Sequence, residues 1–393
     1  MTYDQTFFDT PLDRHGTACE KWDALEARLG HEINPMWVAD MDFRCPPEIS
    51  DALVRRAAHP AYGYTAQTEE AVQAMLAFMR RRHGIALRAD EQLLLPCVIS
   101  GLRAAVLTCT QPGDKVIVQP PVYGPFYASA RENGREIAEC PLQRDASGYY
   151  TMDLDAVERA CRDGAKQMLL CNPHNPVGRA WTRDELTALW AVLKRYGVTL
   201  VSDEIHEDFV YERGAFVPML TVATGAEDRV LALTSASKTF NLAGLQQAVG
   251  FSRNAALLQA VSDTLRNVGV VQGNIFALAA TEAAYRHGDA WLDALLVYLR
   301  EGERILRAEL ARLLPKAVLS PLEATYLAWV DLRAYGLSTE ALLSRCRDAG
   351  VEFTPGTFFG EEAGEGFLRV NLACPHDRIR LAASQLAKAV LDA

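Results

Sequence analysis

Short apolar runs alternate with amphipathic stretches along most of the chain. Leu93 to Ile99 reads as a buried strand stopped by Ser100 and Gly101. Lys115 to Gln119 is a second, closed by Pro120 and Pro121. Gln167 to Cys171, Val198 to Ser202, Val230 to Thr234 and Val249 to Ser252 continue the series. Runs this short, with almost no polar alternation, suit a parallel sheet covered on both faces. Helical patterns lie between them. Thr65 to His83 has Glu69 and Glu70 early, Arg80-Arg81-Arg82-His83 late and Gly84 as its stop, the order that capping and the helix dipole favour. Thr182 to Tyr196 opens with Thr182 and Glu185 in capping-box spacing and stops at Gly197. This alternation predicts a large α/β domain over residues 46–272.

The pattern then changes. A long helical stretch from Asn274 to Leu314 breaks near His287-Gly288. A strand at Thr325–Val330, a helix at Ser338–Ala349, a strand at Phe367–Leu372 and a helix after Pro375 follow. They predict a smaller α+β domain built from residues 1–45 and 273–393.

Composition narrows the class. The 393 residues are 49% hydrophobic, enough apolar surface to offset chain entropy, so a disordered chain is excluded. Fifty acidic against 40 basic side chains leave a net charge of −10, which argues against a nucleic-acid binder. The nine cysteines are scattered and form no C-x-x-C pair, the pattern of reduced thiols in a cytoplasmic protein. The start at Met1-Thr2-Tyr3 shows no signal-peptide pattern, and no run reaches the ~18–20 apolar residues of a membrane span.

Candidate chemistry collects where the predicted strands end, which is where open α/β sheets bind ligands. Four segments stand out: Ser100-Gly101-Leu102; Asn172-Pro173-His174-Asn175-Pro176-Val177-Gly178; Ser202-Asp203-Glu204-Ile205-His206; and Ser235-Ala236-Ser237-Lys238. Asp203, Glu204, His206, Glu207 and Asp208 are dense in metal-ligating types, but no second histidine stands at helical spacing. That segment is read as holding no metal. Phosphate-loop, G-x-S-x-G and H-E-x-x-H motifs are absent from the sequence.

In that order, with Arg369 after them, these segments resemble the fold-type I pyridoxal-phosphate enzymes of the class I/II aminotransferase superfamily. Pro35 to Phe43, Tyr62-Gly63-Tyr64, Ser237 to Gln246 and Phe367 to Pro375 resemble more closely the MalY/PatB group of cystathionine β-lyases. The resemblance implies a transferase-like fold, with a large domain on a mostly parallel seven-stranded sheet and a smaller α+β domain. It implies pyridoxal 5′-phosphate as cofactor, an amino-acid substrate and β-elimination at a Cβ–S bond. An aminotransferase is the alternative, and a regulatory role through protein contact is a more distant one.

The resemblance also implies residue roles. Lys238 would bond to the cofactor aldehyde and then act as the base. Asp203 would hold the proton on the pyridine nitrogen; by itself it could equally be a helix cap. Asn175 and His206 would contact the phenolic oxygen or ring edge, although Asn175 also suits a turn and His206 could be structural. Tyr123 would stack on the ring or simply be a core tyrosine. Ser100, Gly101 and Leu102, at a helix start, with Ser235 and Ser237, would hold the phosphate. Tyr64 would reach the phosphate of a second subunit in a homodimer. Arg369 would grip the substrate carboxylate, with Trp37, Ala39 and Asn175 closing the pocket. Gln246 stands eight positions after Lys238, where many aminotransferases of this fold have a phosphate-binding arginine, which favours the lyase group.

Overall fold

The computed structural model describes residues 3–212, 214–271 and 273–392. The expected domain limits at residues 1, 272 and 393, and the start at Met1-Thr2, lie outside them. The large sheet has seven strands: β1 (Gln92–Leu95), β2 (Lys115–Val118), β3 (Glu136–Glu139), β4 (Gln167–Cys171), β5 (Thr199–Asp203), β6 (Val230–Thr234) and β7 (Ala248–Phe251). Their order across the sheet is β1-β7-β6-β5-β4-β2-β3. The strands from β6 to β3 are parallel, whereas β7 runs antiparallel to both β6 and β1. Every residue of β4, β5 and β6 is buried, which is why these runs show no alternation. Apolar clusters pack on the two faces of this sheet.

The edge strand β3 was not foreseen, because Glu136 and Glu139 are exposed and it carries little apolar signal. The run Leu93 to Ile99 is not one strand. β1 ends at Leu95, and a helix spans Val98–Cys109. Cys97 is its extended cap residue, and the Ser100 hydroxyl donates to the Cys97 carbonyl at 2.6 Å. Strand end and helix start are both apolar, so hydrophobicity alone does not mark the turn between them. Gly101 therefore lies within the helix and does not stop a strand. A Cβ there would stand 2.8 Å from Leu95 Cδ1 and 2.9 Å from Leu233 Cδ2, so glycine lets the helix lie close on the sheet.

The helix expected from Thr65 spans Glu69–His83. The Thr68 hydroxyl accepts from the Ala71 N–H at 3.2 Å, and Gly84 closes the other end with φ of +67°. The capping box at Thr182 and Glu185 is present at the start of Arg183–Arg195.

A second sheet holds β8 (Val318–Leu319), β9 (Leu327–Asp331), β10 (Thr354–Pro355) and β11 (Phe367–Asn371). It is antiparallel, in the order β8-β9-β11-β10, over a core of its own. The N-terminal segment joins this body: Asn34-Pro35 pairs with Val351-Glu352, and the Asn371 amide group donates to the Val38 carbonyl at 2.7 Å and the Asp40 carbonyl at 2.8 Å. The same segment is tied to the large sheet by Asn241, whose Nδ2 donates to the Met41 carbonyl at 2.9 Å and the Phe43 carbonyl at 3.1 Å. Residues 36–43 thus bridge the two sheets. Among the described residues, no helix is long and apolar enough to cross a membrane.

Candidate active site

Parallel pairing of β4, β5 and β6 brings Cys171, Asp203 and Thr234 to one edge of the sheet, and the polar segments leave from that edge. A cavity of about 490 Å³ opens there, roofed by residues 37–39, β10 and Arg369. A larger space of about 900 Å³ lies beyond Phe358, which walls both, but Lys238 does not line it; volume does not mark the site.

Lys238 sits in the short helix Ala236–Thr239 that follows β6. Its Nζ donates to the Ala39 carbonyl at 2.6 Å. Burial lowers its pKa to about 8, so the amine gives up its proton far more readily than an exposed lysine, and roughly a tenth of it is neutral at pH 7. Asp203 ends β5, and its Oδ1 accepts from the Ile205 N–H at 3.1 Å. Burial raises its pKa to about 7. His206 is fully enclosed; burial, with Lys238 and Arg369 close by, lowers its pKa to about 3. Its Nδ1 has no hydrogen-bond partner among the described residues.

Arg369 reaches in from β11. Its guanidinium donates to Asn175 Oδ1 at 3.3 Å, the Trp37 carbonyl at 2.8 Å and Thr354 Oγ1 at 3.1 Å, and it lies over the Phe359 ring. Its Nε is buried without a partner among the described residues. Burial lowers its pKa to about 10, and it stays cationic at neutral pH. Tyr123 lines the cavity edge-on to Phe358, with ring centres 5.8 Å apart. Ser235 and Ser237 line it too, but the Ser235 hydroxyl donates to the Gln247 carbonyl at 2.6 Å and accepts from the Ser237 N–H.

The structure therefore gathers Lys238, Asp203, Asn175, His206, Tyr123, Ser235, Ser237, Arg369, Trp37 and Ala39 around one cavity. Four expected residues do not line it. Gly101 and Leu102 face the core, and Ser100 is used in the cap; Cys97, Val98 and Ile99 form the wall at this helix start instead. The helix begins earlier than its sequence pattern shows, which moves its free N–H groups with it. Tyr64 is 95% exposed and does not line this cavity. Arg28, Thr354, Pro355 and Phe358 also line the cavity and were not foreseen. Arg28 is an exposed residue of a short helix, and the others lie in the two-residue strand β10 and the helical turn after it, both too short to show periodicity.

The aminotransferase class I and II family model matches residues 38–386. The chain belongs to the aminotransferase class I and II family. Within this family it is 39% identical to cystathionine beta-lyase PatB of Bacillus subtilis, covering 93% of this chain and 95% of that one. It is 33% identical to protein MalY of Escherichia coli, covering 98% of each. Cystalysin from Treponema denticola, whose crystal structure contains a pyridoxal 5′-phosphate cofactor, superposes with a TM-score of 0.94 at 31% identity over the whole of both chains. This family member keeps Gln246 at the cavity wall, where its Nε2 donates to the Ala243 carbonyl at 3.1 Å.

Proposed function

We propose that this chain is a pyridoxal-phosphate-dependent carbon–sulfur lyase. It cleaves the Cβ–S bond of cystathionine or a related cysteine S-conjugate. With one water consumed, the products are a thiol, pyruvate and ammonia; from cystathionine the thiol is homocysteine. The observation that carries this reading is a buried amine with a lowered pKa, Lys238, in one cavity with Asp203 and Arg369. The names of the PatB and cystalysin relatives support it, and so does the uncharged Gln246.

The residues present fit the cofactor. The Asp203 carboxyl has a backbone N–H for company and a burial penalty that a neighbouring pyridinium cation would offset. The buried His206 Nδ1 and Arg369 Nε, polar atoms of the same cavity, have no partner among the described residues. Tyr123 offers a flat face, Asn175 and His206 polar edges, and the helix start at Cys97–Ser100 with Ser237 offers donors for a phosphate. Pyridoxal phosphate, when bound, supplies an electron sink for the pair released at the substrate Cα.

The remaining work falls to side chains. Arg369 binds the substrate α-carboxylate with its planar fork, and the Trp37 carbonyl and Thr354 hydroxyl hold that fork in place. Lys238 takes the proton from Cα at Nζ; its lowered pKa raises the share of neutral amine that can accept it. Asp203 holds the proton of the pyridine nitrogen. We assign residues 46–272 to a large domain and residues 1–45 and 273–393 to a small one, with the enzyme a cytoplasmic homodimer in which Tyr64 completes the partner's phosphate site.

Purified enzyme incubated with cystathionine and no keto acid should release pyruvate. Turnover only after a keto acid is added would establish an aminotransferase instead. Lys238→Ala should lose both the pyruvate and the visible absorbance of bound cofactor; retained turnover would reject Lys238 as the base.

A further inference from the structure

Behind the Lys238 helix, away from the cavity just described, three ligating side chains converge. His83 is the last residue of the helix Glu69–His83, and Glu207 and Asp208 lie in the turn after β5. One ligating atom from each lies within 4.8 Å of the others. His83 Nε2 stands in ion-pair contact with Asp208 Oδ1 at 2.9 Å, yet neither atom makes a directed hydrogen bond among the described residues. Glu207 Oε2 is likewise buried and without a partner among the described residues. Glu207 and Asp208 are 4% and 6% exposed, so water does not compensate for the missing partners.

The other oxygen of each carboxylate is occupied. Thr234 donates its hydroxyl to Glu207 Oε1, and Thr239 donates to Asp208 Oδ2 at 2.7 Å. One oxygen held by a hydroxyl and the other left bare toward a shared point is how outer partners orient metal-bound carboxylates. His83, Glu207 and Asp208 also line a cavity of about 710 Å³, which gives an ion a path and leaves room for water on its open positions. Four arginines line the same cavity: Arg81 and Arg82 pair with Asp289 and Asp293, Arg183 bonds to Thr221, and Arg80 has no ion pair among the described residues. The Asp203–Asp208 segment alone lacks a second histidine for a metal; the fold supplies one from 124 positions before Glu207.

The geometry points to a divalent transition-metal site, of the Zn²⁺ or Mn²⁺ class, with His83, Glu207 and Asp208 as its protein ligands. One imidazole and two carboxylates form a mixed nitrogen–oxygen set suited to such borderline ions. Through Thr239, which follows Lys238, the ion braces the lysine turn from behind.

The test uses holoenzyme stripped with a chelator, dialysed against micromolar Zn²⁺ and measured by elemental analysis. Wild type should retain about one Zn²⁺ per chain and melt at a higher temperature than the stripped enzyme. His83→Ala and Glu207→Gln should each bind Zn²⁺ at least about tenfold more weakly and lose that shift in melting temperature. Should a variant fail to fold, X-ray absorption at the zinc edge of wild type decides. One imidazole with oxygen neighbours supports the site, and sulfur or several imidazoles overturns it. Wild type that retains no Zn²⁺, or folded variants that hold it as tightly, would mean that His83, Glu207 and Asp208 are only a buried ion-pair cluster.

Discussion

Asp203 and Lys238 show how burial tunes two opposite charges in one cavity. In the cofactor-free protein, burial raises Asp203 to about 7, against an ordinary carboxyl of about 3.9 in the unfolded chain. Between those values the folded state keeps a proton that the unfolded state has lost. Stability from this group is therefore greatest below about pH 4 and falls as pH rises toward about 7. Asp203→Asn in cofactor-stripped protein should flatten that fall, with a ceiling of about 3–4 kcal/mol. Urea unfolding of both proteins at several pH values measures it; identical slopes would refute the burial argument. Lys238, lowered to about 8 by burial, works in the other direction, adding stability as pH rises from about 8 to about 10.4.

Arg369 is the other residue with a sharp expectation. Arg369→Lys keeps a cation but loses the planar fork. On the proposed reading kcat/KM should fall about 10–100-fold while bound-cofactor absorbance stays. An unchanged kcat/KM would remove Arg369 from substrate binding.

At the scale of elements, the helix Val98–Cys109 shows where close packing governs. Gly101 sits against Leu95 and Leu233 with no room for a side chain. Gly101→Val should destabilise the protein by about 1–3 kcal/mol through overpacking, read as a lower urea midpoint. No change in midpoint would mean that the helix can lift from the sheet at little cost. Caps were the most legible local features. Thr182 with Glu185, and Gly84 after His83, stand where their residue types predict, because a cap is a contact between near neighbours in sequence. The turn between β1 and this helix was not legible, since burial made both of its sides apolar.

At the scale of the molecule, the proposed role of Tyr64 rests on a second chain. Tyr64 is 95% exposed in a single chain, with Tyr62, Val268 and Val271 also exposed. The proposed homodimer would cover such a surface. Sedimentation should show two chains per particle. Tyr64→Ala should release cofactor more readily while the dimer persists. A monomer, or unchanged cofactor retention, would detach Tyr64 from the site.

The order of strand-end motifs, the resemblance they carry and the residues Lys238, Asp203, Asn175 and Arg369 were readable from the chain by itself. Each lies in a short segment whose residue types are dictated by local chemistry. Tertiary structure decided what those segments meet. The Ala39 carbonyl beside Lys238 comes from 199 positions earlier, and His83 beside Asp208 from the far end of another helix. Such pairings depend on strand order and helix packing, which residue types do not encode one segment at a time. Burial, and with it every shifted pKa in the site, also arises only once the sheets and the bridging segment 36–43 have closed together.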